Sequence, residues 1–243
     1  MLTIKFWGTR GTYPTSQQLV CIQVSSPATR LLVEAGSTAI FTEPQNYCAL
    51  NGILLTHLHS DHCLLAPHLV LARMKTLKQD FRKEDCPIYA PEDIANLFSG
   101  VGLTKDFYVW EERPPERIGD IEISRHLTLH WGESCAYKLS HAGKSVVITG
   151  DIFYTDMLAE FCRGVDLLIV ECTDADSNEK HAEFWKHMTP KSVAHLIRQS
   201  QPRQTALYHF TDLNPLEAQA AVLGHLDPSY QVISSNDGME IQI

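Results

Sequence analysis

Three histidines and an aspartate lie within six residues, directly after a short apolar run, and this cluster constrains the chain more than any other feature. The run Gly52–Leu55 leads into the sequence Thr-His-Leu-His-Ser-Asp-His, which ends at His62. Imidazole and carboxylate groups are ligands that suit zinc, manganese or iron. Because a chance match to this pattern is rare, the cluster predicts a metal site rather than a solvated, histidine-rich turn.

The order of the residues in the cluster fits two metal ions. Alternate side chains of an extended segment point to the same side, so His57 and His59 can bind one ion together. A tight turn at Ser60 then brings Asp61 and His62 to face a second ion. Since four residues do not saturate two ions, the pattern also predicts ligands elsewhere in the chain.

Three candidate ligands follow apolar, strand-like segments in the second half of the chain. His130 follows Leu127–Leu129, Asp151 follows the run 145–149, and His209 closes another such run. Functional side chains commonly lie at strand ends in α/β folds. Asp151 is predicted to bridge the ions, because a carboxylate can offer one oxygen to each. The remaining predicted ligands are His57, His59 and His130 for the first ion and Asp61, His62 and His209 for the second.

Together these motifs resemble those of the metallo-β-lactamase-fold hydrolases, and the resemblance covers most of the chain. Thr56–His62 resembles the first metal motif of that family, and His130, Asp151 and His209 resemble its later motifs. The resemblance implies a four-layer αββα sandwich of the α/β (α+β) class, with the site at one edge between the sheets. It also implies two divalent metal ions, for which zinc is expected and manganese is the alternative.

Both ends of the chain resemble one branch of this superfamily, the phosphodiesterases. The segments Ile4–Thr12 and Asn236–Ile241 carry this likeness. The branch includes cyclic nucleotide phosphodiesterase-like proteins, the phosphoribosyl cyclic phosphodiesterase of carbon–phosphorus lyase pathways and the tRNA 3'-end processing ribonuclease. Glu171 and His187 resemble the glutamate and histidine that this branch uses for acid–base chemistry.

The resemblance implies a dinuclear phosphodiesterase in which a hydroxide that bridges the metals attacks phosphorus. The leaving alkoxide must be protonated, and His187 would be the acid, with Glu171 orienting its ring. Asp61 would be both a metal ligand and a catalytic residue. An alternative is that His187 merely precedes a helix, because Thr189-Pro190 is itself a good helix start.

Charge favours a small substrate over a long nucleic acid. The chain has 29 acidic and 20 basic residues, a formal net charge of -9, and no basic stripe. Proteins that bind long nucleic acids usually carry an electropositive surface, and the Gly/Pro-rich arm normal in the ribonuclease branch is absent. We therefore expect a small, cyclic phosphodiester as substrate, with Arg10 in the first loop as a candidate ligand for its charge.

The distribution of apolar segments predicts a single domain, residues 1–243, that is cytoplasmic, since we find no linker, signal peptide or long apolar span. Seven cysteines without a C-x-x-C pair indicate reduced, mostly buried thiols. Proteins that resemble this chain often dimerise, so a homodimer is expected. Helices are predicted at about 63–78, 91–98, 155–162, 190–200 and 215–224, and strands at about 2–7, 19–24, 30–35, 52–56, 121–129, 135–140, 145–149, 166–171, 205–209, 230–234 and 239–242.

Some features leave alternatives open. Glu34 stands where the family usually has aspartate and Leu65 where it has glycine, which predicts altered packing beneath the site. The polar segment 174–185 is expected to be a solvated loop, with a lid over the pocket as the alternative. Two other functions remain possible on this scaffold: a lactone or thioester hydrolase in which His187 is idle, and a non-catalytic, metal-binding accessory protein.

Overall fold

Short apolar, β-branched segments form two seven-stranded sheets that face each other. The structure, a computed structural model, describes residues 1–243. The first sheet contains, in spatial order, β14 (Glu240–Gln242), β1 (Thr3–Gly8), β2 (Cys21–Ser25), β3 (Arg30–Val33), β4 (Gly52–Leu54), β5 (Ile88–Tyr89) and β6 (Trp110–Glu111). The second contains β13 (Val232–Ser234), β12 (Gln204–Tyr208), β11 (Leu167–Glu171), β10 (Lys144–Ile148), β9 (Cys135–His141), β8 (Ile121–Leu127) and β7 (Arg117–Ile118).

The two sheets pack against each other through apolar side chains on their facing sides. Ile4 and Phe6 of β1 are fully buried and share one apolar cluster with Tyr137 of β9 and Tyr208 of β12. Side chains on the opposite side of each sheet belong to two further clusters, which also contain helix residues. The order of layers is therefore helix, sheet, sheet, helix, and the predicted αββα sandwich is confirmed.

Eight helices accompany the sheets, and all but α6 contribute to the apolar clusters behind them. Those behind the first sheet are α1 (Pro44–Cys48), α2 (Ser60–Cys63), α3 (Ala66–Leu77) and α4 (Ala95–Ser99). Those behind the second sheet are α5 (Asp156–Phe161), α7 (Pro190–Ser200) and α8 (Pro215–Gly224), while α6 (Glu179–Trp185) lies between β11 and α7 in the chain. Short 3₁₀ turns occupy Thr38–Thr42, Lys78–Asp80, Lys83–Asp85 and Asp176–Asn178.

Capping residues explain which helix predictions are accurate. The helices α7 and α8 have the predicted bounds, because Thr189 and Asn214 accept hydrogen bonds from the first turn and a proline opens each helix. The predicted helix 63–78 corresponds to α3, which begins three residues later, after the separate one-turn helix α2. Pro67 lies in the first turn of α3, and proline is tolerated there but not in a helix interior.

The elements that the sequence does not predict are short. Apart from the 3₁₀ turns, they are α1, α2, α6 and the two-residue strands β5, β6 and β7, which hold too few residues to show a periodic pattern. All seven cysteines are free and six of them are buried, as the sequence predicts, and Cys63 and Cys172 lie in the apolar clusters. None of the helices has both the length and the apolar character of a membrane-spanning segment.

Parallel strands bring the functional loops to one edge of the second sheet. The strands β10, β11 and β12 run parallel to each other, so their carboxyl ends meet at the same edge. Asp151 follows β10, Glu171 ends β11 and His209 follows β12. The loop after β4 of the first sheet meets this edge, since Cys135 N donates to Thr56 O at 2.9 Å.

A buried arginine holds α1 against α3. The side chain of Arg73 is 3% exposed, and its Nη1 donates to the carbonyl oxygens of Tyr47, Cys48 and Leu50 at 2.7, 2.8 and 3.3 Å. Tyr47 and Cys48 are the last residues of α1 and Leu50 follows its C-cap, so these carbonyls have no helical partners of their own.

Arg73→Met should therefore destabilise the fold by about 2 to 4 kcal/mol, because it leaves several buried carbonyl oxygens unpaired. Urea unfolding measures the change. The matched control is Arg113→Met, which removes an exposed arginine paired only with Glu112 and should leave the unfolding midpoint nearly unchanged. Equal midpoints for the two variants would contradict this account.

Candidate metal centre

The seven predicted ligands lie together at the edge of the sandwich. Two glycines allow the loops to approach this closely. Gly150 has a positive φ of 64°, and a Cβ there would lie 2.4 Å from Oγ1 of Thr56. A Cβ on Gly11 would lie 2.3 Å from the ring of His209. Both positions therefore require glycine, because any side chain would push apart loops that carry ligands.

Asp151 lies between two groups of imidazoles. Its Oδ2 is 3.7 Å from Nε2 of His57 and 3.8 Å from Nε2 of His130. Its Oδ1 is 3.2 Å from Nε2 of His62 and 3.2 Å from Nε2 of His209. Each carboxylate oxygen thus faces one group, which is the arrangement that a bridging ligand needs.

The other two predicted ligands complete the groups. Nδ1 of His59 is 3.2 Å from Nε2 of His130. Oδ2 of Asp61 is 3.6 Å from Nε2 of His62 and 3.2 Å from Nε2 of His209. The donor atoms of His57, His59, His130 and Asp151 lie within 4.8 Å of one another, as do those of Asp61, His62 and His209.

The donor atoms fit divalent cations. Nε2 of His57, Nε2 of His62 and Oδ1 of Asp151 are buried and have no hydrogen-bond partner. Leaving a buried polar atom unpaired costs about 1 to 3 kcal/mol, so several convergent unpaired donor atoms indicate a bound ion. The set contains imidazole nitrogens and carboxylate oxygens, which zinc and manganese both accept.

The buried carboxylate of Glu34 holds the loop that carries His57 and His62. Glu34 is fully buried, has a φ of 66°, and accepts hydrogen bonds from Oγ1 and N of Thr56. Oγ1 of Thr56 lies 3.0 Å from Nδ1 of His57, and Oε1 of Glu34 lies 3.2 Å from Nδ1 of His62. Since Oγ1 of Thr56 donates to Glu34, it accepts from Nδ1 of His57 and leaves Nε2 free to bind metal.

Similar partners fix the rings of His130 and His209. Nδ1 of His130 donates to the carbonyl oxygen of Lys186 at 3.1 Å. Nδ1 of His209 lies 2.7 Å from Oγ1 of Thr173, which in turn donates to Glu171. His209 also has a positive φ of 59°, which is uncommon outside glycine and is typical of functional sites.

The electrostatics of the cluster suit metal binding. Burial lowers the pKa of His57 well below its ordinary value, and the charge of His62 acts in the same direction. Burial raises the pKa of Asp151, but the charges of His209 and His62 outweigh burial and hold this pKa well below its ordinary range. Asp151 is therefore ionised and His57 is neutral, the forms that bind a cation.

Glu171 and His187 form a pair beside the cluster, as the sequence predicts. Nδ1 of His187 is 3.0 and 3.2 Å from the two carboxylate oxygens of Glu171. Glu171 is fully buried and accepts from the backbone N–H groups of Ile152 and Met188 at 2.7 and 3.2 Å. Burial alone lowers the pKa of His187, but the charge and hydrogen bond of Glu171 outweigh burial and raise it to about 9. The alternative that His187 merely precedes a helix start also agrees with the structure, since Thr189 caps α7.

A cavity of about 430 Å³ opens beside the cluster and the pair. Its lining comprises Thr12, His59, Ser60, Asp61, Asp151, Thr173, Asp174, His181, Trp185, His187, His209, Thr211 and Asp212. Arg10 is not among these residues, and its Nη2 donates to the carbonyl oxygen of Thr211 at 2.7 Å. The structure therefore gives Arg10 a role in holding the loop of Thr211, and places no atom of Arg10 in the cavity wall.

The segment 174–185 is not the loop that the sequence favours. It contains the turn Asp176–Asn178 and the helix α6. His181 and Trp185, which sequence analysis did not assign to the site, lie one helical turn apart and both line the cavity. Their spacing of four residues is the only feature of the sequence that could have indicated this shared face.

Metal should stabilise this protein strongly. A ligand that binds only the folded state adds about 2.7 kcal/mol per site at 100 times its dissociation constant. We expect the melting temperature of the wild type to rise with zinc or manganese and to fall with a chelator. The variant Asp151→Asn should lose most of this response, because both groups of imidazoles share Asp151.

The control for this measurement is Asp166→Asn. Asp166 binds Lys144 at 2.8 Å and is not part of the cluster, so its loss changes the basal melting temperature and leaves the metal-induced rise intact. A rise of the same size in Asp151→Asn and in the wild type would contradict the shared role of Asp151.

Comparison with known proteins agrees with this geometry. A family model described as a beta-lactamase superfamily domain matches residues 29–210. An uncharacterized protein of Mycobacterium tuberculosis is 26% identical over 172 residues, which cover 65% of this chain and 60% of the relative's own length. A ribonuclease Z of Nitrosopumilus maritimus is 22% identical over 308 aligned positions, which cover 100% of both chains.

Solved structures have the same fold. The metallo-beta-lactamase fold protein YhfI from Bacillus subtilis superposes with a TM-score of 0.84 at 20% identity, over 99% of this chain and 98% of that one. The predicted metallo-β-lactamase fold is confirmed by this superposition. With three quarters of its length matched by the family model, the chain belongs to the beta-lactamase superfamily.

Proposed function

We propose that this protein is a dinuclear phosphodiesterase that acts on a small diester, most simply a cyclic one. The observation that carries the proposal is the Glu171–His187 pair beside a cluster that can hold two cations. An enzyme that cleaves a phosphodiester must meet a negative charge and protonate a poor leaving group. The similarity to a ribonuclease Z, whose name denotes a phosphodiester substrate, supports this choice of bond.

The metal ligands in this proposal are the seven residues of the cluster. Zinc fits their donor atoms, and manganese is the alternative. When bound, two divalent ions would neutralise the charge of the diester and lower the pKa of water towards neutrality. Asp61, whose Oδ2 also accepts from the backbone N of Thr12 at 2.7 Å, would accept the proton of the attacking water.

His187 is the proposed general acid. Both oxygens of Glu171 lie within 3.2 Å of its Nδ1, so Nδ1 donates to Glu171 and Nε2 carries the proton that the leaving oxygen receives. The Nδ1 atom of His187 is 3.9 Å from Oδ2 of Asp151, and this proximity to the cluster supports the assignment. The charge of Glu171 keeps the imidazole protonated at neutral pH.

A single domain would supply this whole site, because the ligands come from loops of both sheets. We further propose that the enzyme works on small molecules in the cytoplasm as a homodimer. A cavity of about 430 Å³ and a net charge of -9 favour a small diester over a long nucleic acid.

His187→Ala should lower kcat about 10²- to 10⁴-fold on a diester with an alkoxide leaving group, such as glycerol 1,2-cyclic phosphate. The loss should be smaller on bis(p-nitrophenyl) phosphate, because nitrophenolate leaves without much protonation. Bound metal, measured by elemental analysis, should remain at the wild-type level.

The control for His187→Ala is His141→Ala, which removes a histidine that faces a carboxylate, Asp120, outside the cavity and should keep full activity. Equal losses on both diesters would argue against a proton-donating role. Unchanged diester hydrolysis in His187→Ala together with cleavage of lactones or thioesters would instead favour an acyl hydrolase.

The pH dependence should follow the charge of His187. Because the acid is active when protonated and its pKa is raised to about 9, kcat on the alkoxide diester should fall as the pH rises through about 9. Glu171→Gln removes the main cause that raises this pKa, so the alkaline limb should move to lower pH. A pH–rate profile of both proteins tests this, and an alkaline limb at the same pH in both would contradict it.

A further inference from the structure

A second imidazole–carboxylate pair lines the same cavity and has no role in the chemistry proposed above. Nδ1 of His181 lies 2.8 Å from Oδ1 of Asp174. Asp174 is 1% exposed, whereas the side chain of His181 is 59% exposed. The buried carboxylate therefore fixes one nitrogen of an exposed imidazole and leaves its Nε2 free to contact a ligand.

The helix that carries His181 is held in place against the metal centre. Nε1 of Trp131, the residue after the ligand His130, donates to the carbonyl oxygen of Phe184 in α6 at 2.9 Å. Directly after α6, the carbonyl oxygen of Lys186 accepts from His130. His181 is thus part of a wall with a fixed position relative to the cluster, rather than a histidine on a free loop.

The cavity lining contains no lysine and no arginine. Apart from the proposed metal ligands and His187, it offers the hydroxyl groups of threonines and a serine, the carboxylates of Asp174 and Asp212, the imidazole of His181 and the indole of Trp185. A second phosphate on the substrate would find no cationic side chain and would face two carboxylates. Hydroxyl groups, in contrast, can donate to carboxylates and accept from an imidazole N–H.

We propose that this wall selects diesters whose non-leaving ester group is uncharged and hydroxylated, and that His181, positioned by Asp174, hydrogen-bonds to that group. Trp185 provides the apolar surface against which the carbon atoms of such a group pack. The inference rests on the proposed phosphodiesterase activity, and it adds which diesters the enzyme prefers.

Three p-nitrophenyl phosphodiesters test the proposal, because they share one leaving group and differ only in the other ester group. These groups are pentyl, 4,5-dihydroxypentyl, and 4,5-dihydroxypentyl that carries one further phosphate. In these esters no hydroxyl is close enough to displace nitrophenolate through a five-membered ring. We expect kcat/KM to be highest for the dihydroxypentyl ester and lowest for the ester with the added phosphate. Hydrolysis of the doubly phosphorylated ester as fast as, or faster than, the dihydroxypentyl ester would overturn the proposal.

His181→Ala should lower the ratio of kcat/KM for the dihydroxypentyl ester to that for the pentyl ester about 3- to 10-fold, mainly through KM, as loss of one hydrogen bond predicts. Asp174→Ala should act in the same direction, while Asp174→Asn, which can still accept from Nδ1 of His181, should retain the ratio. The matched control is His225→Ala, since His225 pairs with Asp176 at 2.7 Å outside the cavity.

The outcomes separate this proposal from the proposed function. If the wild type cleaves the pentyl and dihydroxypentyl esters and the ratio is the same in His181→Ala, this proposal is overturned and the phosphodiesterase stands. If the metal-loaded wild type cleaves glycerol 1,2-cyclic phosphate but neither of these esters, this proposal is likewise overturned and the phosphodiesterase stands. If it cleaves none of the three, the proposed function fails, and this proposal fails with it. Metal content and melting temperature of each variant show that the fold is intact.

Discussion

The site depends on one buried carboxylate that two groups of imidazoles share. Asp151 is 2% exposed and follows Gly150, whose positive φ and missing side chain let the loop pack against Thr56 of the other sheet. Its oxygens face His57 and His130 on one side and His62 and His209 on the other. Because these residues come from both sheets, the packing of the sandwich sets the geometry of the cluster, and a bound cation in turn would hold the two sheets together at this edge.

Two buried glutamates outside the set of proposed ligands hold histidine rings of the site in position. Glu34 orients His62 directly and His57 through Thr56, so one buried carboxylate holds the rings of two proposed ligands. Glu171 holds His187, and through Thr173 it also contacts His209. The proposed ligand His209 and the proposed acid His187 therefore share one carboxylate, and a change at Glu171 should affect both.

The sequence alone predicted those features whose position is determined by neighbouring residues in the chain. The ligands could be found because each follows an apolar strand, and α7 and α8 because a cap and a proline mark their starts. The helix α6 could not be found, since its seven residues are mostly polar and it is held by tertiary contacts such as that between Trp131 and Phe184. Arg10 was named as a candidate substrate ligand from its position in the first loop, and nothing in the sequence indicated that its guanidinium group donates to the backbone carbonyl of Thr211.

The chain between β11 and α7 combines the acid and the cavity wall in one segment. It begins at Glu171, ends just after His187, and between them carries His181 and Trp185 on α6. The carbonyl oxygen of Lys186, which adjoins the acid, accepts from the ligand His130. Movement of the wall would therefore displace both the acid and a metal ligand, so the wall must be rigid for the acid to stay in reach of the leaving group. A rigid wall selects by the shape and polarity of its side chains, which is why differences in preference between substrates should trace to residues of α6 rather than to the ligands.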